Sequence, residues 1–392
     1  MDNPVILSAC RTPIGRFQGM LSTISATDLG ATAIAGALDR SGVMPEQVDE
    51  AIMGIVLPAG VGQAPARQAA LRAGLPPSVA ALTVNKVCGS GLKAVMLASQ
   101  AIRCGDASVI VAGGMESMSR APWLVSRQLR GLGNQELIDS MTNDGLRCAF
   151  HQEAMGDFAD SLARDQSISR HDQDTFACES HHKAIRAQRE HLFDAEIVAQ
   201  PVQVKGKETN IAADEGPRAE CDPTSLAKLT PAFNPDGTVT AGNAAMISDG
   251  ASALVVTSDR FAQSHGLEPI AEIIAYATAG LEPEDLFVAP IEAVKKTVAK
   301  TNFSVSDIDL WEINEAFAVQ MLACQRGLNI APERLNTRGG AIALGHPIGA
   351  SGARVLTTLV HTMQQDGKEL GVAALCLGGG NAVAMLIRRG RG

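Results

Sequence analysis

The chain has 392 residues, a formal net charge of −9, 46% hydrophobic but only 3% aromatic residues, 38 Gly and 18 Pro. The acidic balance excludes a binder of phosphate backbones, and the scarcity of aromatics excludes a stacking platform for single-stranded nucleic acid. Gly follows no three-residue period and Gly plus Pro stays below the low-complexity range, which leaves a globular chain of two or three domains with cores of Ala, Val, Ile, Leu and Met.

The first residues, Met1-Asp2-Asn3-Pro4, lack the basic and apolar blocks of a secretory leader. The eight Cys form no CxxC pair, so neither a disulfide scaffold nor a zinc ribbon is expected, and the compartment is read as reducing cytosol. A helix is predicted over 28–40, with Leu29, Ala33, Ile34, Ala37 and Leu38 on one stripe, Thr27 as its N-cap and Gly42 as its stop. Val48-Asp49-Glu50 then leads into an apolar strand. A second strand turns into a helix at Cys88-Gly89-Ser90-Gly91, and that helix leads to an apolar strand over 109–114.

Charge is denser across 119–246 than in the flanks, so this stretch reads as a solvent-facing insertion. Its His171, His181, His182 and His191 lack metal-ligand spacing and read as a solvated face. Beyond it the opening pattern returns. Pro290 starts a helix with Ile291, Val294 and Val298 on one face. Ile308-Asp309-Leu310 leads into a strand, Gly349-Ala350-Ser351-Gly352 opens a helix, and the apolar stretch 371–387 reads as a buried strand–turn–strand. From Asp49 to Cys88 is nearly the same span as from Asp309 to Gly349. The sequence therefore predicts a duplicated α/β unit with buried, largely parallel sheets. The expected domains are 1–118 plus 247–268, an inserted loop domain over 119–246, and 269–392.

Four motifs can carry chemistry. Val84-Asn85-Lys86-Val87-Cys88-Gly89-Ser90-Gly91 puts a thiol at a helix N-terminus, where exposed N–H groups favour a thiolate. A structural cysteine beside a turn explains it as well, and the match of Gly89-Ser90-Gly91-Leu92-Lys93-Ala94 to a dinucleotide fingerprint is weak. Gly345-His346-Pro347-Ile348-Gly349 isolates one imidazole among apolar neighbours, which suits a base or a core histidine equally. Leu375-Cys376-Leu377-Gly378-Gly379-Gly380 places a second thiol before bare N–H groups suited to an oxyanion. Glu312-Ile313-Asn314-Glu315-Ala316-Phe317 offers Asn314 as a positioning amide or a plain helix cap.

Together these motifs resemble the thiolase family. Ser8-Ala9-Cys10-Arg11-Thr12-Pro13-Ile14-Gly15, Gly113-Gly114-Met115-Glu116-Ser117-Met118-Ser119 and Thr240-Ala241-Gly242-Asn243 extend the resemblance nearly end to end. It implies a thiolase fold of two core domains and a loop domain. It implies reversible condensation of acyl-CoA with acetyl-CoA, or thiolysis of 3-ketoacyl-CoA, most nearly of the acetyl-CoA acetyltransferase type. Cys88 would be the acylated nucleophile, His346 its base, and Cys376 the acid/base at the α-carbon. Asn314 would hold a water that forms one oxyanion hole with His346, and the N–H groups of Cys88 and Gly378 would form the other. Arg218 and Ser225 would contact coenzyme A, with Leu146, Met155, Phe317 and Ala318 lining the pocket. The resemblance implies a homo-oligomer, a dimer of dimers, with coenzyme A thioesters as substrates and no metal or redox cofactor.

The chain departs from short-chain members at Ala154, where His is usual, at Ala245, where Ser is common, and at Leu286-Phe287, where Met-Gly is frequent. These departures predict an acyl preference other than acetoacetyl. Two rivals are a ketosynthase-type condensing enzyme, which resembles a Cys-His-His set, and a non-catalytic coenzyme A or lipid binder. Asn314 and Cys376 disfavour the first, and the presence of all four polar groups disfavours the second.

Overall fold

The computed structural model describes residues 2–128, 134–204 and 206–390. Nine principal strands carry the fold: β1 (Pro4–Arg11), β2 (Glu50–Gly54), β3 (Ala80–Val84), β4 (Val109–Ser117), β5 (Ser248–Ser258), β6 (Ala271–Gly280), β7 (Leu310–Ile313), β8 (Leu370–Leu377) and β9 (Asn381–Arg389). They form one mixed sheet in the order β7-β8-β9-β6-β1-β5-β4-β2-β3. The helices that matter for the site are α1 (Ala26–Ser41), α2 (Ser90–Cys104), α3 (Met155–Asp165), α4 (Arg170–Arg189), α5 (Ala289–Val298), α6 (Ala318–Leu328) and α7 (Ser351–Asp366).

The duplication is visible in the ladders. β2 runs parallel to β4, which pairs antiparallel with β5 and through it with β1. In the other half β7 runs parallel to β8, which pairs antiparallel with β9 and through it with β6. Within the sheet the two halves are joined where Val5 and Ile6 face Glu272 and Ala271. Loop carboxylates repeat the symmetry. Asp49 accepts the N–H groups of Ser108 and Val109, and Asp309 accepts those of Glu369 and Leu370.

One expectation fails. Among the ladders of the nine strands, β2–β3, β2–β4 and β7–β8 are parallel, and the others are antiparallel. In the second half β8 and β9 form a hairpin closed by Gly378–Gly380, with Gly379 and Gly380 at φ 78° and 77°, a region that glycine enters without strain. In the first half the equivalent turn between β4 and β5 is opened to admit residues 118–247, which hides the hairpin from a reading of local sequence.

Helix α1 also starts earlier than expected, at Ala26 instead of Asp28. Ser25, not Thr27, is its N-cap, because the Asp28 N–H reaches the Ser25 hydroxyl at 3.1 Å. Gly42 ends α1 at φ 72°, as the sequence predicts.

The central layer consists of α2 and α7, packed on each other between the two half-sheets. Helix α7 is buried almost all round, and α2 on all but the face of Lys93, Leu97, Gln100 and Cys104, which small side chains permit. A Cβ on Gly91 would strike the backbone of Ala353, and one on Gly352 would strike that of Leu92. These glycines therefore serve helix packing and bring two helix N-termini side by side. Each N-terminus follows one of the polar motifs. Arg11 locks the insertion to β1: buried, it bonds Glu196 at 2.5 Å and Asp214 at 2.7 Å. Among the described residues, no helix is long and apolar enough to cross a membrane.

Candidate active site

The loop between β3 and α2 turns through Val87, whose φ of 46° lies where a β-branched residue is strained. Its surroundings over-determine the turn. The Asn85 side chain accepts the Val87 N–H at 3.0 Å, while the Ser90 hydroxyl accepts the Lys86 N–H at 2.8 Å and donates to the Val87 carbonyl at 2.7 Å. The turn sets Cys88, half-buried, against a cavity of ≈ 480 Å³. Burial pushes its thiol up to about 12, aided by the Glu116 charge, although the N–H groups of Cys88 and Gly378 face the sulfur and favour the anion. The helix N-terminus alone thus leaves Cys88 a thiol at rest, and ionisation requires a base.

His346 lines the same cavity. Its Nδ1 lies 2.6 Å from the Ser351 hydroxyl, whose proton is donated to the Pro347 carbonyl at 2.9 Å. Ser351 must therefore accept, so Nδ1 carries the imidazole proton and Nε2 keeps its lone pair. Burial, with the Arg354 charge, pulls His346 down to about 3. Its ring is neutral at working pH and free to accept a proton. Glu116 holds the loop in place from the other half of the molecule, accepting N–H groups of Gly349 and Val56 at 2.9 Å and of Leu57 at 3.2 Å.

Cys376 lies at the end of β8, and the neighbouring parallel strand β7 delivers Asn314, whose N–H bonds the Ala374 carbonyl at 3.0 Å. The Asn314 amide nitrogen stands 3.4 Å from His346 Nε2, and its Oδ1 accepts from no donor among the described residues. Burial pushes Cys376 well above the usual thiol range, and the charge of Cys88 adds to the shift. Cys88, His346, Cys376 and Gly378 thus meet at one apolar cavity, with Asn314 against the imidazole.

A second cavity of ≈ 600 Å³ adjoins the first; the two share Leu146, Met155, Ala245 and Phe317. Arg218 and Ala154 line the second, while Leu286 and Phe287 line the first, the latter edge-on to Phe317 at 5.2 Å. Ser225 is exposed on the short helix Pro223–Leu226 and belongs to neither lining. Ala318 is fully buried beneath the site, packed with Leu226 and Ile342, so the geometry gives it a place in the core instead of in the pocket wall.

His181 also departs from its reading as a solvated residue. It is buried, lines the second cavity, and accepts the Arg218 N–H on Nδ1 at 3.2 Å. Burial pulls it down to about 4, with Arg218 adding to the shift. Ser351, Glu116 and His181 are thus site-building residues that the motifs did not identify. Each is a single polar residue whose partner is set only by the fold.

The buried imidazoles predict acid sensitivity. Below about 6.5 an unfolded His346 takes up a proton, whereas the folded one stays neutral down to about 3. Stability is therefore complete above pH 6.5 and falls through that window, by up to about 1.4 kcal/mol per pH unit for this group. Urea midpoints at pH 7, 6 and 5 are expected to drop more steeply in the parent than in His346→Gln; parallel curves contradict the assignment.

Known proteins share this fold and these motifs. The family model described as thiolase, N-terminal domain, matches residues 4–260, and that described as thiolase, C-terminal domain, matches 267–389. A probable acetyl-CoA acyltransferase of Staphylococcus aureus (strain N315) is 48% identical, covering 99% of this chain and 100% of the relative. An acetyl-CoA acetyltransferase of Escherichia coli (strain K12) is 49% identical with the same coverage. The crystal structure of the Bacillus anthracis acetyl-CoA acetyltransferase superposes with a TM-score of 0.97 at 39% identity, covering 99% of each chain.

Proposed function

The chain belongs to the thiolase family, and from that premise we propose that it moves acyl groups between coenzyme A thioesters through an acyl-Cys88 intermediate. The observation that carries this reading is the convergence of two thiols, a neutral imidazole and the Gly378 N–H on one apolar cavity. His346 Nε2 takes the Cys88 proton as the sulfur attacks a thioester carbonyl. The N–H groups of Cys88 and Gly378 stabilise the resulting oxyanion, and coenzyme A leaves as a thiolate that takes up the Cys376 proton, so that Cys376 becomes the thiolate. Cys376 then removes a proton from the α-carbon of a second acetyl-CoA. The enolate oxygen is held by the proton that His346 Nε2 took from Cys88 and by the Asn314 side. The carbanion attacks the acyl group, and the Cys88 sulfur that leaves recovers that proton from His346. Thiolysis is the same sequence reversed.

The second cavity, with Arg218 at its wall, suits the coenzyme A arm, and the neck at Met155 and Phe317 leads it to Cys88. The inserted segment 119–246 is thereby proposed as the coenzyme A platform. Ser225 takes part at its exposed rim. The substrates are acyl-CoA and coenzyme A, and no step calls for a metal or redox cofactor. A homo-oligomer of dimers is proposed from the edge strand β3, which exposes Leu82, and from the exposed Trp123, Leu137 and Ile138. Residence in the cytosol is part of the same proposal.

A thiolysis panel of 3-ketoacyl-CoA substrates tests the reading. Acetoacetyl-CoA is cleaved, and because the first cavity is walled by Leu146, Ile348, Leu286 and Phe287, longer straight acyl chains are expected to match or exceed it in kcat/KM. A clear optimum at acetoacetyl-CoA removes the longer-chain preference. No cleavage of any member removes the enzyme reading and favours a coenzyme A binder.

A further inference from the structure

Cys178 on α4 and Cys221 stand apart from the site chemistry: neither lines either cavity. Their sulfurs are 2.8 Å apart, within about 1 Å of the disulfide bond length of about 2.05 Å. Both are buried, in a small apolar cluster with Ala177, Leu226 and Ile342. The backbone around Cys221 is already fastened to α4. His182 Nε2 donates to the Cys221 carbonyl at 2.8 Å, and the Arg218 N–H donates to His181 at 3.2 Å. A small side-chain rotation therefore suffices to bring the sulfurs to bonding distance.

We propose that Cys178 and Cys221 are a non-catalytic redox pair that hydrogen peroxide converts to a disulfide, cross-linking α4 to the segment that carries Arg218 and Ser225. Cys221, the less deeply buried of the two, reacts first. Its sulfur attacks peroxide, an S–O bond forms, the O–O bond breaks and water leaves, giving a sulfenic acid. The Cys178 sulfur then attacks that sulfur. The S–S bond forms, the S–O bond breaks, and the oxygen departs as water with the Cys178 proton. Two thiols lose two electrons and two protons, and one peroxide becomes two waters. Burial raises both thiols above their ordinary value, while the Cys178 hydrogen bond and then Arg218 draw Cys221 back, so attack on peroxide is slow and calls for sustained oxidant.

The cross-link does not depend on the proposed function; its effect on coenzyme A does. The full chain is treated with hydrogen peroxide, alkylated, digested without reduction and analysed by mass spectrometry. A peptide linking Cys178 to Cys221 is expected, with a rise in Tm of about 3–4 °C that dithiothreitol reverses. Cys178→Ser and Cys221→Ser each lose the rise. Alkylation of both thiols while other cysteines oxidise overturns the proposal, as does a rise in Tm that persists in both variants. Calorimetry on the reduced and cross-linked forms is expected to show coenzyme A bound about threefold more tightly by the latter, because the segment is held before binding. A linked peptide without that gain overturns the coupling to the segment. Failure of both forms to bind coenzyme A overturns the proposed function and leaves the linked peptide to decide the cross-link.

Discussion

Cys88→Ala is expected to lower both thiolysis and condensation at least about 10⁴-fold, a transition-state loss of about 5.5 kcal/mol or more. The size follows from the division of labour. Every productive path runs through a covalent bond to the Cys88 sulfur, and neither other cysteine of the cavity replaces it: Cys376 is buried at the end of β8 and Cys148 is buried in the inserted segment, neither at a helix N-terminus. Residual rate comes only from positioning of two thioesters. Incubation with acetyl-CoA should give an acyl-enzyme by intact mass in the parent and none in the variant. Coenzyme A affinity should stay within about twofold, because Cys88 lines the first cavity and Arg218 the second. The half-buried side chain is small, so the fold should be unaffected. An acylated Cys88→Ala protein, or one that retains thiolysis, contradicts the assignment.

The sequence makes the reacting atoms more legible than their supports, for a physical reason. Cys88 and His346 each lie in a glycine-rich turn and Cys376 lies at a strand end just before one, so local chemistry marks them out. Ser351 looks like an ordinary residue at the start of a helix until Pro347 and His346 converge on its hydroxyl. Glu116 is one carboxylate at the end of a strand, and its three N–H donors come from segments about 60 and more than 200 residues away in sequence. Strand direction is hidden for a related reason. An apolar strand buried on both faces has the same composition whether its neighbour is parallel or antiparallel, and the insertion separates β4 from its hairpin partner β5. Gly91 and Gly352 signal close approach correctly, but the approaching body is another helix and not a ligand.

Cys376→Ala is expected to separate the two half-reactions that Cys88→Ala destroys together. The variant should still form the acyl-enzyme, because Cys88, the His346–Ser351 pair and the Gly378 N–H remain. It should lose α-proton exchange, since the other thiol left at the cavity, Cys148, belongs to the inserted segment and not to the strand end that carries Cys376 beside Gly378. General acid–base contributions suggest a fall of about 10²–10⁴-fold in condensation. Electrostatics also orders the steps. The Cys88 charge raises Cys376, so the two thiols oppose each other's ionisation. Acylation keeps Cys88 a neutral thioester, so that opposition is absent while Cys376 ionises. Burial, the larger cause, still raises Cys376, and its base form arises when it gives its proton to the departing coenzyme A sulfur. Deuterium uptake into acetyl-CoA in heavy water, read by mass spectrometry beside acyl-enzyme formation, measures both steps in one sample. Normal exchange in Cys376→Ala refutes its role. Loss of acylation together with exchange would show that Cys376 supports Cys88 and is not itself the carbon base.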